Sequence, residues 1–321
     1  RGAGLWRSLD HGATWTLMPG TANFWNVSKV VCDAAGNLYV GCNSISNNSG
    51  IQRYTKATST WTNITPTGLD PRVPDIELSS TGRLHIVCGY YNTAAGSSGY
   101  RYTDTPATVT SSGWTSPATT FTTQYNVALA SNGNTLYALP SGSTWNVTTM
   151  YKSTNGGANW SATGTTPAFT SSQAWYCMAV AVDPNNANNV IVGSLDCYKT
   201  TNGGTSWTKI SNWVGTTGQY VHADQQIITW RNNNVVLFGS DGGIHYSANG
   251  GTTITDRNVG LRLKQFYSVA IHPTSTNYFL AGAQDNGTHQ LNGAGLTTSV
   301  EVTGGDGAWT KIDQNQPQYQ F

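Results

Sequence analysis

The stretch LWRSLDHGATWT, residues 5–16, decides the fold: a short strand, a turn built on Ser8, Asp10 and Gly12, and Trp15 opening the next strand. The same order returns in YKSTNGGANWS (151–161) with Ser153, Asn155, Gly157 and Trp160, and in YKTTNGGTSWT (198–208) with Thr200, Asn202, Gly204 and Trp207. HYSANGGTTIT (245–255) is a decayed copy. Two segments, IQRYTKATSTWT (51–62) and YRYTDTPATVTSSGWT (100–115), keep the strand and the tryptophan but lose the glycine turn. The landmarks Trp15, Trp61, Trp114, Trp160, Trp207 and Thr253 are spaced by 46, 53, 46, 47 and 46 residues. A period of that length made only of short strands and turns is the signature of propeller blades, because helical arrays of similar period carry apolar residues at 3.6 spacing.

Upstream of each landmark lie two more apolar strand signals, such as KVVCD with LYVGC, DIELS with LHIVCG, and MAVAVDP with VIVGS, joined by Gly/Asn turns. With the strands flanking the turn, each repeat has four. The turn has a physical purpose: Asp or Asn folds onto nearby amides, Gly supplies a positive φ, and the tryptophan covers the hairpin.

These motifs resemble the Asp-box (BNR) repeat. SLDHGATW is the full form and STNGGANW and TTNGGTSW its Asn variants, as in sialidases, glycoside hydrolase propellers, sortilin-type receptors and photosystem assembly propellers. The run from YVHADQQIITW through LFGSDGGIHYSANGG and FLAGAQDNGT to VTGGDGAWTKID (220–313) is similar to secreted bacterial sialidase-like and glycosyl-hydrolase-like propellers, many of them cargo of type nine secretion. The resemblance implies architecture more than activity.

The expectation is therefore an all-β chain: a seven-bladed β-propeller of four-stranded antiparallel blades with Asp-box turns, one domain over residues 1–321. Residues 5–16 supply the outer two strands of a blade and 308–321 the inner two, so C-terminal strands pairing with N-terminal strands close the ring and remove open sheet edges. A chain that begins with Arg1 rather than Met also reads as a processed protein or a fragment of a longer one, in which Phe321 continues into further blades.

Composition narrows the function. Charged residues are 10% of the chain, and 16 Lys plus Arg against 15 Asp plus Glu give a formal net charge of +1, with no basic run to neutralise phosphates, so nucleic acid is not an expected partner. No apolar stretch has the length of a membrane span. The residue balance, rich in Gly, Trp, Tyr, Asn, Ser and Thr, is that of a secreted or cell-surface protein. Cys32, Cys42, Cys88, Cys177 and Cys197 form no CxxC pair and no metal spacing with histidine. Cys177 and Cys197 are the pair that adjacent strands would bring together. No metal or cofactor is expected beyond structural calcium in loops such as DPNNANN (183–189).

Ligands enter a propeller where its inner strands open. Those repeat positions hold Trp25, Arg72, Asp75, Tyr90, Tyr91, Tyr125, Trp175, Tyr176, His222, Gln265 and Tyr267, with carboxylates at Asp224, Asp241, Asp285 and Asp306. Aromatic faces stack on sugar rings and carboxylates accept from hydroxyls, so the reading is a saccharide-binding cleft. Two of the four aspartates would be the catalytic candidates of a glycoside hydrolase, but DGG, DNG and GDG are also what tight turns look like. His222 in HADQQ reads as a hydrogen-bonded structural histidine. Sialidase activity is not expected: it needs three arginines on the substrate carboxylate, and only Arg72 falls near these positions. The reading that follows is a monomeric, non-catalytic module binding a polysaccharide, glycoprotein or cell-surface protein. Its rivals are a secreted glycoside hydrolase and a structural module of an adhesin or secretion cargo.

Overall fold

The computed structural model describes residues 4–45, 48–214, 218–231, 234–261, 264–293 and 299–321; Arg1 lies outside them. Among these residues there is no α-helix, and seven antiparallel sheets follow one another along the chain, matching a seven-bladed β-propeller. In order they are β1 (Trp6–Arg7) and β2 (Thr16–Leu17); β3 (Val27–Cys32), β4 (Leu38–Cys42), β5 (Gly50–Thr55) and β6 (Thr60–Asn63); and β7 (Ile76–Leu78), β8 (Leu84–Cys88) and β9 (Gly99–Thr103). The next two are β10 (Val127–Asn132), β11 (Thr135–Pro140), β12 (Thr149–Ser153) and β13 (Ser161–Thr165), then β14 (Ala179–Asp183), β15 (Asn186–Gly193), β16 (Cys197–Thr200) and β17 (Thr208–Lys209). The last two are β18 (Gln225–Trp230), β19 (Val236–Ser240), β20 (Gly243–Ser247) and β21 (Thr255–Asp256), and β22 (Phe266–Ile271), β23 (Phe279–Ala283), β24 (Thr288–Leu291) and β25 (Val300–Thr303).

Within each sheet the strands pair in chain order, each with its sequence neighbour, which short hairpin turns allow. Four strands per blade hold for five of the seven sheets. The third has three, because Trp114 is delivered by a long segment that touches β9 only through the Tyr102–Thr115 bridge. The first has two, β1 and β2, as expected of residues that supply only an outer pair.

The chain divides into two compact units: residues 1–239 with 245–255, and residues 240–244 with 256–321. In the first, the inner strands stand side by side in the order β3, β7, β10, β14, β18. Within this unit a core layer lies between successive sheets from the second to the sixth. Tyr39, Ile51, Ile76 and Ile86 fill one, Tyr100, Phe121, Leu129 and Trp160 the next, Tyr137, Met150, Phe169 and Val190 the third, and Ile191, Ile228, Trp230 and Phe238 the fourth. Blades sandwiched in this way bury both faces, which is why β8 and β14 are buried throughout and read as unbroken apolar runs apart from His85 and Asp183. In the second unit, Ala270, Leu280 and Ile312 form the core, and the C-terminal segment folds back on itself: Lys311 and Phe321 exchange both backbone bonds, at 2.8 and 2.9 Å.

Cys177 and Cys197 do not pair. All five cysteines are free thiols. The Cys177 sulfur lies 3.1 Å from both Ser194 Oγ and the Asp224 carboxylate, while Cys197 is buried on β16, where desolvation pushes its thiol up to about 12. The Cys177 sulfur is taken up by Ser194 and by Asp224 on the approach to the next blade, and Cys197 by burial within its own blade.

Candidate functional site

The repeated turn is saturated with internal bonds. Ser8 Oγ accepts from the Gly12 amide at 2.7 Å and donates to Asp10 at 2.7 Å, and Asp10 in turn accepts from the Thr14 amide at 2.9 Å and from the Thr14 hydroxyl. Those bonds, Thr14 first and then Ser8, hold the Asp10 carboxyl down at about 2. Asn155 and Asn202 do the same work, taking the Asn159 and Ser206 amides at 2.9 Å each, with Ser153 and Thr200 in the serine's place. Ser247 and Asn249 repeat it where the tryptophan is lost. The Trp15 and Trp160 indoles donate to the carbonyls of Gly12 and Gly157, while the Trp207 indole nitrogen is buried without a hydrogen-bond partner. The Trp207 indole apart, these polar groups of the turns are taken up within the hairpins.

A cavity of about 530 Å³ lies among the inner strands of the first unit, lined by β3, β7, β10, β14 and β18 residues and bordered by Tyr90, Trp175 and Tyr176. Its floor is an ionic brace. Lys29 on β3 meets Asp75 at 3.1 Å and Glu77 on β7 at 2.9 Å. Asp75 also takes the Ile76 amide at 2.8 Å and the Leu129 amide at 2.6 Å, and Glu77 takes the Ser131 hydroxyl at 2.7 Å, so three strands are tied together. Burial raises Asp75 above the usual carboxylate range against the pull of Lys29 and the Leu129 amide; the same two carboxylates keep Lys29 protonated although burial opposes it. Asp75 is therefore a spent carboxylate. Lys29 and Glu77 were not legible as site residues, because KVVCD and DIELS read simply as apolar strands; only the β3–β7 neighbourhood brings them together.

At the rim, Arg72 forms a bidentate pair with Asp70, with Nε to Oδ1 at 2.9 Å and Nη2 to Oδ2 at 2.5 Å, and also donates to Thr93 at 2.9 Å. Burial alone would raise Asp70, but the Arg72 guanidinium and amide bring it below its ordinary value. Arg72 is a loop latch.

The aromatic residues gather. Trp145 lies 5.8 Å from Tyr90, 5.4 Å from Tyr91 and 5.3 Å from Tyr125 by ring centroids, and Trp175 lies 5.4 Å from Tyr176. The Tyr90 hydroxyl donates to the Trp175 carbonyl at 2.6 Å and joins the two groups. Asn146 fixes the Trp145 loop by accepting from the Ser172 amide at 2.8 Å, and the Ala174 amide donates to the Trp145 carbonyl at 3.1 Å. Tyr125, Trp175 and Tyr176 were expected here; Trp145 was not, since it sits in the β11–β12 connection, outside the repeat positions that open on the cleft. Its signal was available in retrospect as an aromatic in a Gly/Ser-rich hairpin loop. Trp25 is exposed and flanked by Asn26, whose carbonyl accepts from Asn43.

The remaining candidates divide between the units. In the first, Asp224 takes a left-handed φ of 63° and accepts from Cys177, and His222 Nδ1 lies 3.1 Å from the Ala223 carbonyl. In the second, the Asp306 carboxylate accepts from the Asp285 amide at 3.1 Å, Asp285 has a φ of 56°, and the Asp241 carbonyl accepts from Asn286 at 3.2 Å. Desolvation and the charges of Asp306 and Asp285 raise the exposed Tyr267. The Gln265 carbonyl accepts from Gln284. In the 183–189 loop, Asp183 is taken up by the Asn185 amide at 2.8 Å and the Asn189 amide group at 2.9 Å. Among the described residues no three His, Cys, Asp or Glu side chains gather as a metal site, and no helix is long and apolar enough to cross a membrane.

No protein-family model and no curated protein matches the chain. Among solved structures, it is similar to the extracellular domain of a putative hybrid two-component system from B. thetaiotaomicron, at 12% identity and a TM-score of 0.51 over 93% of this chain and 39% of that one. The GH74 xyloglucanase from Xanthomonas campestris matches at 16% identity and a TM-score of 0.45 over 97% of this chain and 57% of that one, and YCF48 from Cyanidioschyzon merolae at 13% and 0.45 over 91% of each. The first likeness supports the propeller fold and nothing finer. This chain spans 39% and 57% of the length of the first two structures.

Proposed function

We propose that this chain is an Asp-box propeller module that binds a glycan or a glycoprotein partner at the mouth of its inner-strand cavity, without catalysis, as a secreted or cell-surface protein. The observation that carries it is the aromatic group of Tyr90, Tyr91, Tyr125, Trp145, Trp175 and Tyr176, of which Tyr90, Trp175 and Tyr176 line a cavity whose charged groups, Lys29, Asp75 and Glu77, already satisfy one another. A pocket of convergent aromatics with few spare ionisable groups suits binding better than proton transfer. The expected result is a signal for the intact chain on an array of polysaccharides and glycoproteins that falls at least tenfold in Trp175→Ala. Release of reducing ends from any of those glycans would overturn the non-catalytic reading.

A second reading rests on Asp285 and Asp306, which adjoin each other in the second unit. Glycoside hydrolysis needs two carboxylates flanking the bond, and the Asp306 carboxylate here lies against the Asp285 amide. Xyloglucan hydrolysis by the intact chain, abolished in Asp306→Ala, would favour it.

A further inference from the structure

We infer that the ligand of this mouth is an uncharged polysaccharide, held by stacking of its sugar rings on Tyr91, Trp175 and Tyr176, with the cavity beneath receiving a chain end or side branch. The inference rests on the mouth being the binding site and adds the class of ligand.

Exposure supplies the first argument. Tyr91, Trp175 and Tyr176 leave 64%, 49% and 41% of their surface open, although each adjoins an apolar partner it could be buried against. Large aromatic rings in one contiguous patch, held by hydrogen-bonded loops, mark a recognition surface rather than unfinished core.

Backbone geometry supplies the second. Tyr91, Asn92 and Trp145 adopt φ of 57°, 59° and 58°, and Ser171 and Ser172 adopt 42° and 65°. A left-handed bulky residue costs on the order of 1 kcal/mol or more and persists only where its surroundings enforce it. Here the enforcing bonds cross between neighbouring loops: the Tyr125 hydroxyl donates to Asn92 at 3.1 Å, and the Ser172 amide donates to Asn146 at 2.8 Å. Rings fixed before the ligand arrives lose little entropy on binding, which suits a flexible chain of sugars.

Charge supplies the third. An anionic glycan needs a free cation, but Arg72 is committed to Asp70 and Lys29 to Asp75 and Glu77. A cationic glycan would need a free carboxylate, but those same pairs occupy Asp70, Asp75 and Glu77, and Asp224 accepts from the thiol of Cys177, next in the chain to Trp175 and Tyr176. Among the exposed lining residues is Thr229, whose hydroxyl matches sugar hydroxyls.

The test is affinity electrophoresis of the intact chain through gels containing mixed-linkage β-glucan, galactomannan or arabinoxylan, with polygalacturonate and chitosan as the charged counterparts, at about 0.05 and 0.5 M NaCl. At least one neutral polysaccharide is expected to retard the chain equally at both salts, with retention falling about tenfold or more in Trp175→Ala and in Tyr91→Ala and largely restored in Trp175→Phe. Thermal unfolding of each variant separates lost stacking from lost folding. Retention by polygalacturonate or chitosan alone, lost in Trp175→Ala, overturns the uncharged class while leaving the mouth as the site. Retention unchanged in Trp175→Ala and Tyr91→Ala overturns the mouth itself. Retention by no polysaccharide overturns the inference, and binding of a defined glycoprotein through its protein moiety, lost in Trp175→Ala, would assign the mouth to a protein partner.

Discussion

The double-glycine turns and the cavity mouth both bend the backbone into the left-handed region, and they do it with opposite residues; the Ser8 turn stands between them, with His11 at φ 56° beside Gly12. In the turns of the blades carrying Ser153, Thr200 and Ser247, the two left-handed positions are glycine pairs: Gly156 and Gly157, Gly203 and Gly204, Gly250 and Gly251. At the mouth the same region is occupied by Tyr91, Asn92, Trp145, Ser171 and Ser172. A glycine in that conformation costs little, whereas a tyrosine or tryptophan there is strained. The turns therefore spend nothing beyond what folding requires and recur with the period. The mouth accepts strain, occurs once, and carries rings that no core needs. The contrast separates the turns this chain repeats to fold from a cluster of rings that the period does not require.

The largest effect that sharpens the contrast is expected at Gly157. A Cβ there would lie 1.8 Å from the Tyr100 hydroxyl oxygen and 2.9 Å from its ring carbon, and Tyr100 is completely buried between two blades. With a φ of 81° the backbone cannot yield either. Gly157→Ala is expected to cost about 4 kcal/mol, summing overpacking and left-handed strain. At Gly12 the nearest atom to such a Cβ is 3.8 Å away, on Trp15, so Gly12→Ala is expected to cost only about 1 kcal/mol, for the φ alone. Urea unfolding of the two variants checks this; equal costs would mean that the turns are not locked by the neighbouring blade.

Acid is the next lever. His85 is fully buried on β8, with Nδ1 2.6 Å from the Tyr100 hydroxyl and Nε2 without a partner. Burial, helped by Arg83, lowers it to about 3. The unfolded chain takes up this proton below about 6.5 and the folded chain does not until about 3, so stability is complete above the upper value and falls as pH drops through that window. The loss from this group should reach roughly 3–4 kcal/mol at the bottom of the window, and His85→Gln, which keeps a bond to Tyr100, should flatten it. A slope unchanged in that variant would assign acid sensitivity to other groups.

Much of the fold was legible because the 46-residue recurrence repeats one local solution, and Trp15, Trp160 and Trp207 announce it. The exceptions have local causes. The sheet at β7–β9 lacks its fourth strand since the 104–114 segment has no glycine turn to bring Trp114 back along β9, leaving a single bridge. Of the site, Tyr125, Trp175 and Tyr176 could be read from their place just before an inner strand. Trp145 could not, because loops between outer strands have no fixed position in the repeat. Lys29 and Glu77 stayed hidden because strand alternation says which face a residue takes, not which strand of another blade it will meet. Arg72 and Asp75 read as open to a ligand, but both are already committed: Arg72 to Asp70, two residues before it, and Asp75 to the Leu129 amide, 54 residues on in another blade, which strand pattern does not reveal.

The smallest effect tests whether the strain at the mouth is kept for the ligand. Ser171 has a φ of 42° and an exposed side chain, so Ser171→Gly removes strain without removing a packed group. If the mouth is held in its bound form at the expense of stability, this variant should unfold at slightly higher urea, by about 0.5 kcal/mol, since relief of the left-handed φ outweighs the added freedom of the unfolded glycine. It should also bind less well, because the 170–174 segment bonds Asn146 and the Trp145 carbonyl and thereby fixes the ring that touches Tyr90, Tyr91 and Tyr125. Lower stability together with unchanged binding would place Ser171 with the turns: a residue serving the fold, on the side of the comparison where left-handed geometry carries no function.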